Sequence, residues 1–233
     1  MMTNKTVISS GHAKYVRGAS CYIDEVDEAR KAVDQVAEYL NELGCTVYKF
    51  HDDTSKTQRD NINAIVKYHN SKERDLDVSV HFNAASKTDN PRGVEVLYYS
   101  DSNKKLAENM SQAISKASGL KNRGAKKRTG LGFLKGTSKP AILIEICFVD
   151  SVTDVNIYED KFDEICRVIA ETISGKMLAV VKKASTKKYH TVVKGDTVSA
   201  IAREYDTTIA KIKSWNKLDS KYTIWIGQKL RVE

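Results

Sequence analysis

Apolar and polar positions alternate along most of the chain in two periods, and the period changes again and again. Residues 5–9 carry the short-period pattern of a strand. Residues 25–43 then place Val26, Ala29, Val33, Val36, Leu40 and Leu43 on one helical stripe, which Gly44 stops. A strand at 46–50, a helix near 57–70 and strands at 77–82 and 94–99 follow. A helix over about 104–118 carries Leu106, Met110, Ala113, Ile114 and Ala117 and ends at Gly119. The strand 141–146 and a last helix from about 160 to 178, with Phe162, Ile165, Cys166, Ile169 and Ile173 on its stripe, complete the series. Strands and helices in alternation predict an α/β domain, a mainly parallel sheet with helices on both faces, over residues 1–179. Residues 180–188 are basic and polar and read as a linker. Residues 189–233 read as a small βααβ unit. Its first strand is Tyr189 to Val193, and Thr197 caps a helix through Tyr205. Thr207 or Thr208 caps a second helix through Trp215, and Gln228 to Val232 closes the unit.

Against this pattern one residue stands out. Glu145 lies inside Ala141-Ile142-Leu143-Ile144-Glu145-Ile146, otherwise a buried strand. An ionised carboxylate there is costly unless it is paired, neutralised or set beside a metal. No strand-facing Arg or Lys offers itself as a partner, which favours an acid/base role over a structural ion pair. His12 and His81 each close a short apolar strand, at the carboxyl edge where ligands of such sheets gather. Two imidazoles and two carboxylates there suit a catalytic zinc. The third ligand is Glu25 or Glu28. At 100° per residue Glu25 lies within about 50° of the stripe centre and Glu28 about 110° away, which favours Glu25 without deciding it.

Charge and cysteine usage narrow the classes. The net charge is +8, yet residues 1–175 hold 25 basic and 25 acidic residues, so the excess lies in the linker and tail. Such a tail suits a polyanionic surface. A neutral first domain without a basic helix or aromatic stacking motif argues against a nucleic-acid binder. No run of 18 apolar residues predicts a membrane span, and the first residues lack an apolar signal core. Synthesis in the cytoplasm without a signal peptide is the expectation, and the protein is expected to be a monomer. Cys21, Cys45, Cys147 and Cys166 have no close paired spacing, which excludes a zinc ribbon or CxxC motif.

Taken in order, Ser9-Ser10-Gly11-His12, Glu25 before a helix ending at Gly44, Val80-His81-Phe82-Asn83, Arg92-Gly93-Val94-Glu95, Asn122-Arg123-Gly124-Ala125-Lys126 and Pro140-Ala141-Ile142-Leu143-Ile144-Glu145 resemble the zinc-dependent N-acetylmuramoyl-L-alanine amidases over residues 5–178. The resemblance implies Zn2+ held by His12, Glu25 and His81, with Glu145 as catalytic acid/base. Ala13 stands where many relatives have Gly. The tail resembles a LysM domain through Tyr189-His190-Thr191-Val192-Val193-Lys194-Gly195-Asp196-Thr197, Trp215-Asn216 and Ile226-Gly227-Gln228-Lys229-Leu230. That resemblance implies N-acetylglucosamine glycan binding between Gly195-Asp196-Thr197 and the loop from Asn216 through Leu218 to Ile224. Trp215, at helical spacing from Ile212, is expected in the core. The expected protein is a peptidoglycan hydrolase that acts at the cell wall after release, as a phage endolysin. The alternatives are a host mother-cell-lysis autolysin of the same activity and a non-catalytic wall-binding protein.

Overall fold

The structure, a computed structural model, describes residues 4–179 and 188–233. Most of the linker expected at 180–188 therefore lies outside the described residues. The chain divides into two compact units, Met1–Leu178 and Ala179–Glu233.

The first unit is built on six strands: β1 (Lys5–Ala13), β2 (Thr46–Asp52), β3 (Leu76–Asn83), β4 (Val94–Tyr98), β5 (Asn122–Lys127) and β6 (Ala141–Phe148). They lie in the order β2-β1-β3-β6-β4-β5. All neighbours run parallel except β4 and β6, which are antiparallel. Six helices cover the sheet: α1 (Glu25–Glu42), α2 (Gln58–Asn70), α3 (Lys104–Ser118), α4 (Gly132–Gly136), α5 (Val152–Asp160) and α6 (Phe162–Ser174). Alternation along β6 shows how the two faces divide. Ile142, Ile144 and Ile146 enter the large core under α1, α3 and α6. Ala141 and Leu143 face a smaller core with Ile65 of α2 and Phe133 of α4. Glu145 emerges on that second, more thinly covered face.

Four expectations need correction. The strand β5 was not expected, since Asn122-Arg123-Gly124-Ala125-Lys126-Lys127 has almost no apolar pattern; as an edge strand it buries little. The turn of helix α4 is too short to leave a period. The helix expected from about 160 to 178 is α6, Phe162–Ser174, and the separate helix α5 that precedes it was not expected. The strands also run further than their apolar cores, so His12 lies inside β1 rather than after it.

Helix α1 starts where its sequence says it should. The Asp24 carboxylate accepts from the amides of Val26 and Asp27, and three acidic residues occupy the first turn. Beneath α2, a wholly buried row ties helix to sheet. His69 Nδ1 lies 2.8 Å from Asp77 Oδ1 and its Nε2 lies 3.0 Å from Ser9 Oγ. Arg74 donates twice to Asp77, at 2.8 and 2.9 Å. The row has the residue types of a hydrolytic triad, but Ser9, His69 and Asp77 are all 0% exposed, so it holds the fold rather than meeting substrate.

The second unit pairs β7 (Tyr189–Thr191) with β8 (Lys229–Arg231) in antiparallel fashion, with α7 (Val198–Glu204) and α8 (Ile209–Asn216) between them. Thr197 and Thr208 cap the helices, which settles the choice between Thr207 and Thr208. Val192, Val198, Ile201, Ile212, Leu230 and Val232 form its core.

Asp77→Ala leaves the buried Arg74 without its carboxylate. It should lower the stability of the first unit by about 3 kcal/mol. Urea unfolding followed by circular dichroism measures this, because both tryptophans lie in the tail.

Candidate metal and acid/base site

The site is assembled by a backbone irregularity at the end of β1. Pairing with β2 shifts between Ser9 and Ala13, and His12 adopts φ +61°, a left-handed conformation uncommon for a non-glycine residue. The turn swings the His12 ring toward His81 at the end of β3, with ring centroids 5.2 Å apart. Two glycines make the room. A Cβ on Gly11 would lie 2.1 Å from His81 Cε1. One on Gly18, at φ +71°, would lie 2.4 Å from Glu25 Oε2.

Glu25, the first residue of α1, completes the cluster. Its Oε1 lies 3.0 Å from His81 Nδ1 and 3.3 Å from His12 Nε2. Backbone amides fix the carboxylate: Phe82 N donates to Oε1 and Ala19 N to Oε2. Burial works against its charge, but the two histidines outweigh burial and hold the carboxyl well below the usual range. Glu28 takes no part. It pairs with Lys31 and accepts from the Tyr158 hydroxyl, so it is half-buried under α5 rather than turned to solvent. Of the two candidates at the start of α1, Glu25 is the one in the site.

His12, Glu25 and His81 offer ligand atoms that all lie within 4.8 Å of one another. Two imidazole nitrogens and one carboxylate oxygen on one side, with space on the other, fit a divalent metal with an open coordination position.

Glu145 faces that opening. It is paired in register with His81 on β3 and with Glu95 on β4. Its Oε2 is buried and has no hydrogen-bond partner. Burial first, then the charges of Glu25 and Glu95, push its carboxyl up to about 8. Arg123, the nearest guanidinium by register, is engaged elsewhere: its Nε donates to Glu95 Oε2 at 2.7 Å and it stacks on Phe148. Asn83 donates to the other oxygen of Glu95. Glu95 and Arg123 are the members of this neighbourhood that the sequence reading did not single out. Their signal was the strand register, which sequence alone does not supply. Arg59 is highly exposed beside Asp60.

In the tail, a hollow of about 480 Å³ is lined by Asp196, Thr197, Ser199, Ile209, Tyr222 and Ile224 among others. Three of the residues expected to meet glycan, Asp196, Thr197 and Ile224, are there. Gly195 forms the turn before it, at φ +97°. Asn216 is turned inward, its amide bonded to Ile212 O, Arg231 O and Arg231 N, and Leu218 packs on the core. Asn216 closes backbone hydrogen bonds of the tail, and Leu218 adds apolar cover to its core. Trp215 is half-buried under the Arg231 guanidinium. Ser199, Ile209 and Tyr222 were not anticipated.

Comparison with known proteins agrees with this geometry. Residues 6–175 match the family model for N-acetylmuramoyl-L-alanine amidase, and residues 190–233 match that for the LysM domain. The chain belongs to the N-acetylmuramoyl-L-alanine amidase family. An uncharacterised protein of Clostridium perfringens is 33% identical over 176 residues, covering 74% of this chain and 52% of its own length. A probable cell wall amidase, LytH, of Staphylococcus aureus is 26% identical over 159 residues, 66% of this chain and 51% of its own. The chain thus spans about half the length of the curated relatives it matches. The catalytic domain of the CD27L endolysin targeting Clostridia Difficile superposes with a TM-score of 0.69 at 25% identity, covering 75% of this chain and 99% of that one. The CwlD amidase of Clostridioides difficile, solved with the GerS lipoprotein, has the same fold: TM-score 0.66, 23% identity, 74% and 98% covered. Among the described residues no helix is long and apolar enough to cross a membrane.

The raised proton affinity of Glu145 has a consequence for the metal-free protein. The folded state binds its proton up to a pH near 8, while an unfolded glutamate releases it near 4.5. Stability present at acid pH is therefore lost as pH rises through this window. Glu145→Gln removes that loss, so in chelator the variant should gain on the parent by a few kcal/mol between pH 5 and 8. Urea unfolding at each pH measures it; a constant difference contradicts the burial of an unpaired carboxyl.

Proposed function

We propose that the protein is a zinc-dependent peptidoglycan hydrolase that cleaves the amide between N-acetylmuramic acid and L-alanine. The observation that carries this reading is the unpartnered Glu145 carboxyl facing the His12–Glu25–His81 cluster. Zinc held by those three residues would polarise the scissile carbonyl and acidify the attacking water. Glu145 takes that water's proton and returns it to the leaving alanine nitrogen. Its raised proton affinity lets it hold the proton between the two transfers, and a neighbouring cation lowers that affinity. Glu95, fixed by Asn83 and Arg123, sustains the negative field at Glu145. Glu25, held by two backbone amides, keeps both imidazoles in place.

The LysM tail binds glycan through the hollow beside Asp196, Thr197 and Ile224 and keeps the hydrolase at its substrate, raising the local concentration. The protein then works at the cell wall. An endolysin and probable cell wall amidases both stand among the proteins it resembles.

Glu145→Gln should retain one zinc per chain and lose at least about 100-fold in hydrolysis, because an amide cannot carry the proton. His81→Ala should lose the metal together with activity. Zinc content by atomic absorption and release of wall fragments read both; a Gln variant of near-normal activity contradicts the role of Glu145. Removing residues 188–233 should weaken sedimentation with purified walls by about tenfold or more. Cleavage of soluble muramoyl peptides should be spared.

A further inference from the structure

Behind Glu145 the thinly covered face of the sheet is incompletely filled. A hollow of about 220 Å³ opens beside His12 and His81 and runs back over Leu97 and Leu143 toward Ile65 and Phe133. Those four residues are buried and form its apolar floor. Two buried polar atoms in its wall, Glu145 Oε2 and Ser79 Oγ, have no partner. Unpaired polar atoms are rare in native interiors, and two of them facing one apolar hollow mark a place that a ligand fills. Part of that volume is the open mouth beside His12, His81 and Glu145, and the remainder lies over Ile65, Leu97, Phe133 and Leu143.

We propose that this hollow is the side-chain pocket for the first residue of the stem peptide, and that it accepts apolar side chains larger than the methyl of alanine. The proposal rests on the amidase reading above. Glu145 hands its proton to the leaving nitrogen, so that nitrogen lies against Glu145 at the mouth of the hollow. The Cα bonded to the same nitrogen then directs its side chain into the space behind. The acyl side of the amide carries a muramic acid ring, too bulky for the hollow, and remains on the open side. An acidic side chain is excluded by the apolar floor, which offers a buried carboxylate no partner.

The test uses the full zinc-loaded chain and three soluble N-acetylmuramoyl dipeptides with L-alanine, L-leucine or L-glutamate in first position. The leucine compound should be cleaved with kcat/KM within about tenfold of the alanine compound, and the glutamate compound about 100-fold more slowly. A leucine compound more than about tenfold below alanine overturns the pocket while leaving the amidase reading intact. An alanine compound that is itself uncleaved overturns the amidase reading and the pocket with it. A second variant guards against accidental tolerance. Leu143→Phe fills the floor, and the leucine-to-alanine ratio of kcat/KM should fall about tenfold. Both compounds are read on one sample, so partial unfolding or lost zinc does not move that ratio, and an unmoved ratio refutes the assignment.

Discussion

Three carboxylates, Glu25, Glu95 and Glu145, are drawn to one end of a sheet whose interior is otherwise aliphatic, and their mutual repulsion governs the site. Each meets the problem differently. Glu25 is stabilised as an anion by two histidines and two backbone amides. Glu95 is stabilised by Arg123 and Asn83. Glu145 has neither, and burial beside the other two makes it hold its proton. Remove the pairing of Glu95 and a second carboxyl would compete for that proton. Remove Glu25 and the imidazoles lose the anion that gathers them. The difference in environment, rather than any difference in residue type, keeps one glutamate ionised and another protonated.

The fold supplies these environments through register and alternation. Leu143 and Glu145 project to the same face of β6, and pairing with β3 and β4 sets Glu145 between His81 and Glu95. The large core under α1, α3 and α6 provides the stability that lets the opposite face remain hollow beside the site. That division of labour is common in α/β proteins: one face packed for stability, the strand ends given to chemistry. The LysM unit carries its own core and caps.

Much of this was legible in the sequence, for identifiable reasons. The helix α1 announced itself by an apolar stripe, an acidic first turn and Gly44. Glu145 stood out because a carboxylate interrupts an aliphatic strand. Helical angles favoured Glu25 over Glu28 without deciding between them, and they could not foresee Tyr158 covering Glu28. Edge strand β5 was illegible because it buries too little to leave a pattern. The left-handed turn at His12 was illegible because histidine rarely adopts it, and only tertiary packing around Gly11 and Gly18 makes it favourable. In the tail, Asn216 ends α8 and Leu218 lies just beyond it, and the sequence does not reveal which way either side chain turns. Their inward orientation follows from the backbone groups and core that they close.

The most direct test of the account is to digest purified sacculi with the zinc-loaded protein and assay two products, new L-alanine amino termini and new reducing sugar ends, with and without chelator. The account predicts new alanine termini that vanish with chelator and return with zinc, and no new reducing ends. Reducing ends without alanine termini, or alanine termini indifferent to chelator, would contradict it.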